Sequence, residues 1–207
     1  MAISVYQLKP AFIRLLRPLA AGLVKAGATA NQVTLAACGV SVLYAGVLFM
    51  RPDSALLWAL MPVWLFLRMA LNAIDGIMAR EFSQKSRLGA LLNETGDVVA
   101  DAALYAPFAL LPGVHVQAVA LFVWMALLTE FAGVLAVMVN APRRYDGPLG
   151  KSDRAFILGL AAVLCACALA WDWRIAFILN AVFYGCSGLM AWTAFNRLRG
   201  ALAGGSA

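Results

Sequence analysis

Asp75, Glu81, Glu94, Asp97 and Asp101 all fall between Leu71 and Asp101, in the stretch LNAIDGIMAREFSQKSRLGALLNETGDVVAD. Long apolar runs flank this stretch on both sides. Asn72, Asp75 and Ala79 are spaced i, i+3, i+7 and so share one helical face, with Arg68 on that face one turn deeper. Gly89, Asn93, Asp97 and Asp101 recur every four residues and form a slowly winding stripe. At about 100° per residue, Glu94 falls about 20° from Asp101 and about 60° from Asp97, so these three carboxylates gather on one side. EFSQKSR is short, which predicts antiparallel neighbouring helices whose polar faces meet. Carboxylates crowded at one place either take up protons or hold a cation. Carboxylate and amide oxygens, without Cys or His, suit a hard divalent ion: Mg²⁺, Mn²⁺ or Ca²⁺. Ion pairing is the competing account: Arg68 with Asp75, Arg87 with Glu94, or Arg68 with Glu130. It covers Arg68 and Glu130 but leaves Asp75, Asp97 and Asp101 with too few cations at their depth.

The elements that position these residues are membrane helices. The chain has 207 residues, of which 64% are hydrophobic and 13% charged, and its mean hydropathy is +0.85. Soluble domains are about 45–50% apolar and roughly 25% charged, so an integral membrane protein is expected. Charged side chains inside such a bundle face its interior and mark functional paths. The net charge of +6 reports topology and anionic headgroups rather than nucleic acid, for which no stacking platform or basic helix is present. Cys38, Cys165, Cys167 and Cys186 lie in apolar runs without a CxxC pair and read as small buried hydrophobes. His115 is the single histidine, so no His-based metal site is expected. The start, MAISVYQLKPAF, lacks the pattern of a removable signal peptide.

An all-α bundle of six spans is expected: Val33–Met50, Ala55–Ala79, Leu88–Leu111, Val116–Asn140, Ala155–Trp171 and Ile175–Leu198. RPDS, LPGVH and WDWR make short connections; REFSQKS and PRRYDGPLGKSDR make charged ones. Residues 1–207 read as a single membrane domain, with the chemistry concentrated in 72–101. Residues 9–25 are amphipathic and too charged to span, which predicts a helix lying in the membrane interface. Thirteen Lys and Arg fall on one side of this topology; Arg51 and Arg174 are on the other, and Arg68 lies within a span. That asymmetry predicts a multi-pass protein of the cytoplasmic membrane with both termini cytoplasmic.

NAIDGIMAREFSQKSRLGALLNETGD resembles the signature of the CDP-alcohol phosphotransferase (phosphatidyltransferase) family, D-x2-D-G-x2-A-R-x8-G-x3-D-x3-D. Asp75, Gly76, Ala79, Arg80, Gly89 and Asp97 stand at matching places; Asn72 and Asn93 replace the first and third aspartates. The resemblance implies transfer of a phosphatidyl group from CDP-diacylglycerol to an alcohol with release of CMP, dependent on divalent metal. It implies Asp75 as metal ligand and Asp97 as ligand and general base, with Asn72 and Asn93 offering uncharged oxygens. Glu94 and Asp101 are expected to restore the missing charge, giving four carboxylates about the metal. ATANQVT at 28–34 resembles the family's T/S-P-N-x-x-T element, with Ala30 in place of proline. Asn31 and Thr34 then lie beside the nucleotide with Asn72, Gly76, Ala79, Arg80 and Gly89; a helix cap at Thr29 or Asn31 is the plainer account. Gly76 would let the nucleotide approach closely, and Arg80 offers a charged fork for phosphate or carboxylate.

Arg143, Arg144, Lys151 and Arg154 resemble the basic loop of members that use phosphorylated acceptors such as glycerol phosphate or inositol phosphate; positive-inside topology is the alternative. The resemblance further implies a homodimer. Two other functions compete: a degenerate member that binds nucleotide or lipid without turnover, and an ion or proton path. The second needs polar residues continuing outward, and beyond Asp101 AALYAPFALLPG offers only Tyr105.

Overall fold

The computed structural model describes residues 9–204, with the side chains of residues 9–11 excepted. The expectation that MAISVYQLKPAF is not a removable signal peptide falls largely on residues 1–8, which lie outside the described residues. Among the described residues seven α-helices follow one another: α1 (Lys9–Lys25), α2 (Ala30–Met50), α3 (Ala55–Glu81), α4 (Arg87–Tyr105), α5 (Val116–Leu135), α6 (Lys151–Trp171) and α7 (Ala176–Gly204). Short 3-10 turns at Ala106–Leu110 and Ala136–Val139 extend α4 and α5. Helix is what an apolar solvent demands, because it satisfies its own backbone N–H and C=O groups.

Among the described residues five helices are long and apolar enough to cross a membrane: α2, α3, α5 with its extension to Val139, α6 and α7. The expected span Leu88–Leu111 is not among these five. Its α-helix is 19 residues long and carries Arg87, Glu94, Asp97 and Asp101. After Tyr105 the chain tightens into the 3-10 turn that holds Pro107, because proline removes a backbone donor and clashes with a continuing α-helix.

The described chain groups into two compact units. One takes in residues up to Val42 together with Phe66–Ala100; the other takes in Leu43–Leu65 and residues from Asp101 onward. The first unit packs Leu16 and Ala20 of α1 with Ala30 and Val33 of α2 and Ile74, Ile77 and Met78 of α3. Arg17 of α1 donates to Glu81 at 3.0 Å, and the Phe12 and Phe66 rings lie 5.9 Å apart. Leu15 and Leu19 of α1 remain exposed.

The second unit is built round an aromatic core. Phe108 meets Trp58 at 4.6 Å and Phe183 at 5.5 Å, and Phe122 meets Tyr105 at 5.4 Å and Phe183 at 5.3 Å. All four contacts are edge-on, the arrangement that ring quadrupoles favour. Trp58 Nε1 is satisfied by the Pro52 carbonyl at 2.8 Å. Between α4 and α5, Asn180 of α7 accepts from His115 N at 2.8 Å and donates to Gly113 O at 3.1 Å. Gly113 has φ +76°, which suits glycine and no larger residue there. Phe122→Ala should cost about 3–5 kcal/mol, the usual range for emptying a packed aromatic site, read as a fall in the unfolding midpoint in detergent with helix content preserved.

Candidate active site

The 28–34 element closes on itself before it reaches anything else. Thr29 N donates to Gln32 Oε1 at 2.9 Å, and Gln32 N donates to Thr29 Oγ1 at 3.3 Å. This reciprocal pair is a capping box that starts α2. Gln84, in the turn after α3, accepts from Ala30 N at 2.7 Å, tying that turn to the start of α2. Thr29 is therefore the cap, and Asn31 is left for another use. A Cβ at Gly89 would stand 2.7 Å from Asn31 Oδ1, so glycine at the start of α4 is what admits the Asn31 amide.

One turn further along α2, Thr34 Oγ1 lies 2.6 Å from Asp75 Oδ2 and 3.1 Å from Ala30 O. Both Thr34 and Asp75 are buried. Asp75 sits on α3 between Asn72 and Ala79, the face the spacing predicts. Asp97 of α4 accepts from Asn72 Nδ2 at 2.8 Å and from Arg68 at 3.2 Å, both on Oδ1, while its backbone carbonyl takes a second Arg68 contact at 3.1 Å. Arg68 is almost fully buried, and Asp97 keeps 20% of its side-chain surface. Arg68 thus pairs with Asp97, a partner the ion-pair account did not name. The structure accordingly brings Asn31 to Gly89, Thr34 to Asp75, and Asn72 with Arg68 to Asp97. Arg80 is exposed and lays its guanidinium over Gly76, where a Cβ would meet it at 3.1 Å. Ala79 packs at the edge of the core of this unit. Asn93 and Glu94 are half-buried on α4.

The four-carboxylate arrangement is corrected. Among the described residues no group of three or more His, Cys, Asp or Glu side chains is placed to hold a metal ion. Asp101 is buried against Arg154, with Oδ2 at 3.2 Å from the guanidinium. An isolated buried carboxylate is costly, and the nearby guanidinium balances Asp101. The donors left from the expected set are the carboxylates of Asp75, Asp97 and Glu94 and the amide oxygens of Asn72 and Asn93. These hard oxygens match a divalent cation of the Mg²⁺ or Mn²⁺ type. Two carboxylates balance the charge of one such ion.

The basic residues after α5 are positioned with care. Arg144 N donates to Gly133 O at 3.1 Å, and a Cβ on Gly133 would stand 2.6 Å from Arg144 O. Leu149 N is held by Thr193 Oγ1 at 3.0 Å, and Gly150 N by Asp153 Oδ2 at 2.9 Å. Arg154, fully buried, donates to Glu130 Oε1 at 2.9 Å and to Thr129 Oγ1 at 3.0 Å. Arg143 reaches Glu130 Oε2 at 3.1 Å and lies over the Tyr145 ring at 4.4 Å. Arg144 turns aside to Asp146 at 2.8 Å, and Lys151 starts α6 half-buried. Arg197 completes the cluster: it donates to the carbonyls of Thr129 at 2.5 Å and Asp146 at 3.2 Å and stands 3.7 Å from Glu130. In the sequence Arg197 stands only among the charges that set topology. Its one signal was a charge seven residues inside the end of a helix otherwise rich in apolar residues.

The sequence matches the model of the family described as CDP-alcohol phosphatidyltransferase over residues 28–193. The chain belongs to that family. Inner membrane protein YnbA of Escherichia coli K12 is 48% identical over 200 residues, 96% of each chain. Phosphatidylinositol phosphate synthase of Mycobacteroides abscessus is 41% identical over 95 residues, 46% of this chain and 41% of that one. The fold matches a crystal structure of Mycobacterium tuberculosis phosphatidylinositol phosphate synthase with CDP-DAG bound. The TM-score is 0.72 at 22% identity, covering 91% of this chain and 94% of that one. A second structure of that enzyme, in complex with manganese and citrate, also gives a TM-score of 0.72. The CDP-alcohol phosphatidyltransferase match begins at the capping box of α2 and runs through the whole of the signature and the basic loop.

Two outcomes follow for the loop of this phosphatidyltransferase. Gly133→Ala should push the Arg144 backbone outward, costing about 1–3 kcal/mol as overpacking does, seen as a lower unfolding midpoint and faster trypsin cleavage at Arg143 and Arg144. At Asp146, burial acts to raise the carboxyl, but hydrogen bonds from Arg144 and its own backbone, with the charges of Arg144 and Arg197, hold it below the usual range. Stability from this group is therefore complete above the ordinary carboxylate pKa and is lost as pH falls through the depressed one. Asp146→Asn should flatten the acid limb of the unfolding midpoint against pH.

Proposed function

We propose that this chain moves a phosphatidyl group from CDP-diacylglycerol to an alcohol and releases CMP. The observation that carries the reading is the placement of Asp75 and Asp97, the two signature aspartates this chain retains, each on a fixed hydrogen-bond partner. Phosphatidylinositol phosphate synthases as relatives, and the likeness to a structure with CDP-DAG bound, support it. The acceptor hydroxyl oxygen attacks the phosphorus that carries the diacylglycerol. The bond from that phosphorus to the oxygen bridging to CMP breaks, CMP leaves with the bridging oxygen, and the hydroxyl proton passes to Asp97. Arg68 and Asn72 hold the Asp97 carboxylate in one orientation for that transfer. Asp75, oriented by Thr34, and Asp97, with the amide oxygens of Asn72 and Asn93, would hold a divalent Mg²⁺ or Mn²⁺. When bound, that ion draws charge from the pyrophosphate and stabilises the leaving CMP. The manganese complex of the structural neighbour supports this choice of metal. Asn31, Gly76, Ala79, Arg80 and Gly89 line the nucleotide in this proposal.

The acceptor is a phosphorylated polyol, held through Arg143, Arg144, Lys151 and Arg154. The surrounding is a multi-pass inner membrane, as the name of the Escherichia coli relative suggests for that protein. In this proposal both termini are cytoplasmic, α1 lies in the interface, α4 completes six spans within the bundle and two copies associate. Asn at positions 72 and 93 marks a variant with fewer charges at the metal.

One observation favours a second reading, a member that binds without turnover: Asp97 Oδ1 already accepts from both Arg68 and Asn72. CMP release by purified protein in detergent separates the two. Given CDP-diacylglycerol, Mn²⁺ or Mg²⁺ and a panel of alcohols, the wild type should release CMP, and Asp97→Asn should lose at least about 10²-fold, as for a missing general base. Asp75→Asn should weaken Mn²⁺ binding measured by electron paramagnetic resonance. Retained CDP-diacylglycerol binding with no CMP from any acceptor would establish the second reading.

A further inference from the structure

Glu130 has a place in the arginine cluster that a structural ion pair does not need. One guanidinium is normally enough for one carboxylate, and the strong arrangement is two parallel bonds from a single arginine. Glu130 instead meets three: Arg154 on Oε1 at 2.9 Å, and Arg143 and Arg197 on Oε2 at 3.1 and 3.7 Å. The last distance is beyond a hydrogen bond. Three guanidiniums, two of them hydrogen-bonded to it, thus converge on one carboxylate from α6, α7 and the loop after α5. Arg154 Nε, also buried, has no hydrogen-bond acceptor. Three guanidiniums against the carboxylates of Glu130 and Asp101 leave one positive charge. A phosphate monoester, with three unsubstituted oxygens and up to two charges, satisfies such a set better than a carboxylate does.

The arginines do not depend on Glu130 for their positions. Arg197 is fixed by the carbonyls of Thr129 and Asp146, Arg154 by Thr129 Oγ1 and Asp101, and Arg143 by the Tyr145 ring. Removing the Glu130 charge therefore leaves a preformed cationic site.

We infer that Glu130 is a specificity-determining residue: its carboxylate occupies the position of the acceptor's phosphate in the Arg143–Arg154–Arg197 cluster and competes with it. This rests on the phosphorylated-acceptor reading given above. The internal carboxylate keeps free phosphate out, and an acceptor enters only by displacing it, with its remaining hydroxyl contacts contributing to that exchange.

The test uses full-length protein in detergent and inorganic phosphate as the probe, read by isothermal titration and by the shift of the unfolding midpoint. Glu130→Gln, which keeps the shape and removes the charge, should bind phosphate at least about tenfold tighter than the wild type, and should lower KM for glycerol phosphate more than it changes kcat. A folded Glu130→Gln whose phosphate affinity lies within about twofold of the wild type overturns the inference. Should that variant not accumulate, Glu130→Asp keeps the charge but withdraws it by one methylene. Tighter phosphate binding than wild type then supports the inference, and unchanged or weaker binding overturns it. Phosphate affinity is measured without turnover, so the two readings fail separately. CMP release from CDP-diacylglycerol with unchanged phosphate affinity removes only the role of Glu130. Tightened phosphate binding without CMP release removes only the transferase.

Discussion

The buried charges among the described residues answer to one constraint: a charge held among apolar helices needs an opposite charge or a hydrogen-bond partner beside it. Arg68 is the clearest case. It sits almost fully buried on α3 and closes on the side chain and the backbone carbonyl of Asp97. Its helical face also carries Asn72, so the Asp97 carboxylate is gripped from one side by two residues a turn apart. The catalytic geometry proposed for Asp97 is thus a by-product of solving the burial of Arg68.

The same constraint shapes the basic loop. Arg143, Arg154 and Arg197 would be costly in a bundle without Glu130 and Asp101 beside them. The polypeptide helps at two places where a side chain would interfere. Gly133 lets the loop backbone lie against α5, and Gly147, at φ +129°, leaves the space that Thr193 of α7 fills. Close approach of backbone to helix is what brings three arginines from separate elements to one carboxylate. Backbone N–H groups of the loop are bonded to Gly133 O, Thr193 and Asp153, which makes the loop a fixed platform.

Much of the fold could be read from the pattern of apolar runs, because a helix needs an apolar stretch of a set length to span a bilayer. The ends of α3 and α6 and the short links between helices fall close to where the turn residues put them. The expected third span, Leu88–Leu111, differs from the other long helices for a definite reason. Its apolar residues continue past Tyr105 to Leu111, but Pro107 stops the α-helix, and four charges on α4 make it the least lipid-like of the long helices. In the candidate site, helical spacing gave the face of Asn72 and Asp75. It failed at Asp101, where helical phase relative to Asp97 said nothing about the guanidinium that α6 would bring.

Sequence alone determined the membrane character, the helical class and the identity of the family, and it singled out Asp75, Gly76, Arg80 and Asp97 as candidates, since composition, periodicity and a long spaced motif are properties of the chain read in order. Tertiary structure decided which partner each charge has. Asp97 went to Arg68 and Asn72, Asp101 to Arg154, and Glu130 to three arginines between 13 and 67 residues away. Coulombic and hydrogen-bond pairing depends on distances of about 3 Å in space, and separation along the chain does not set those distances.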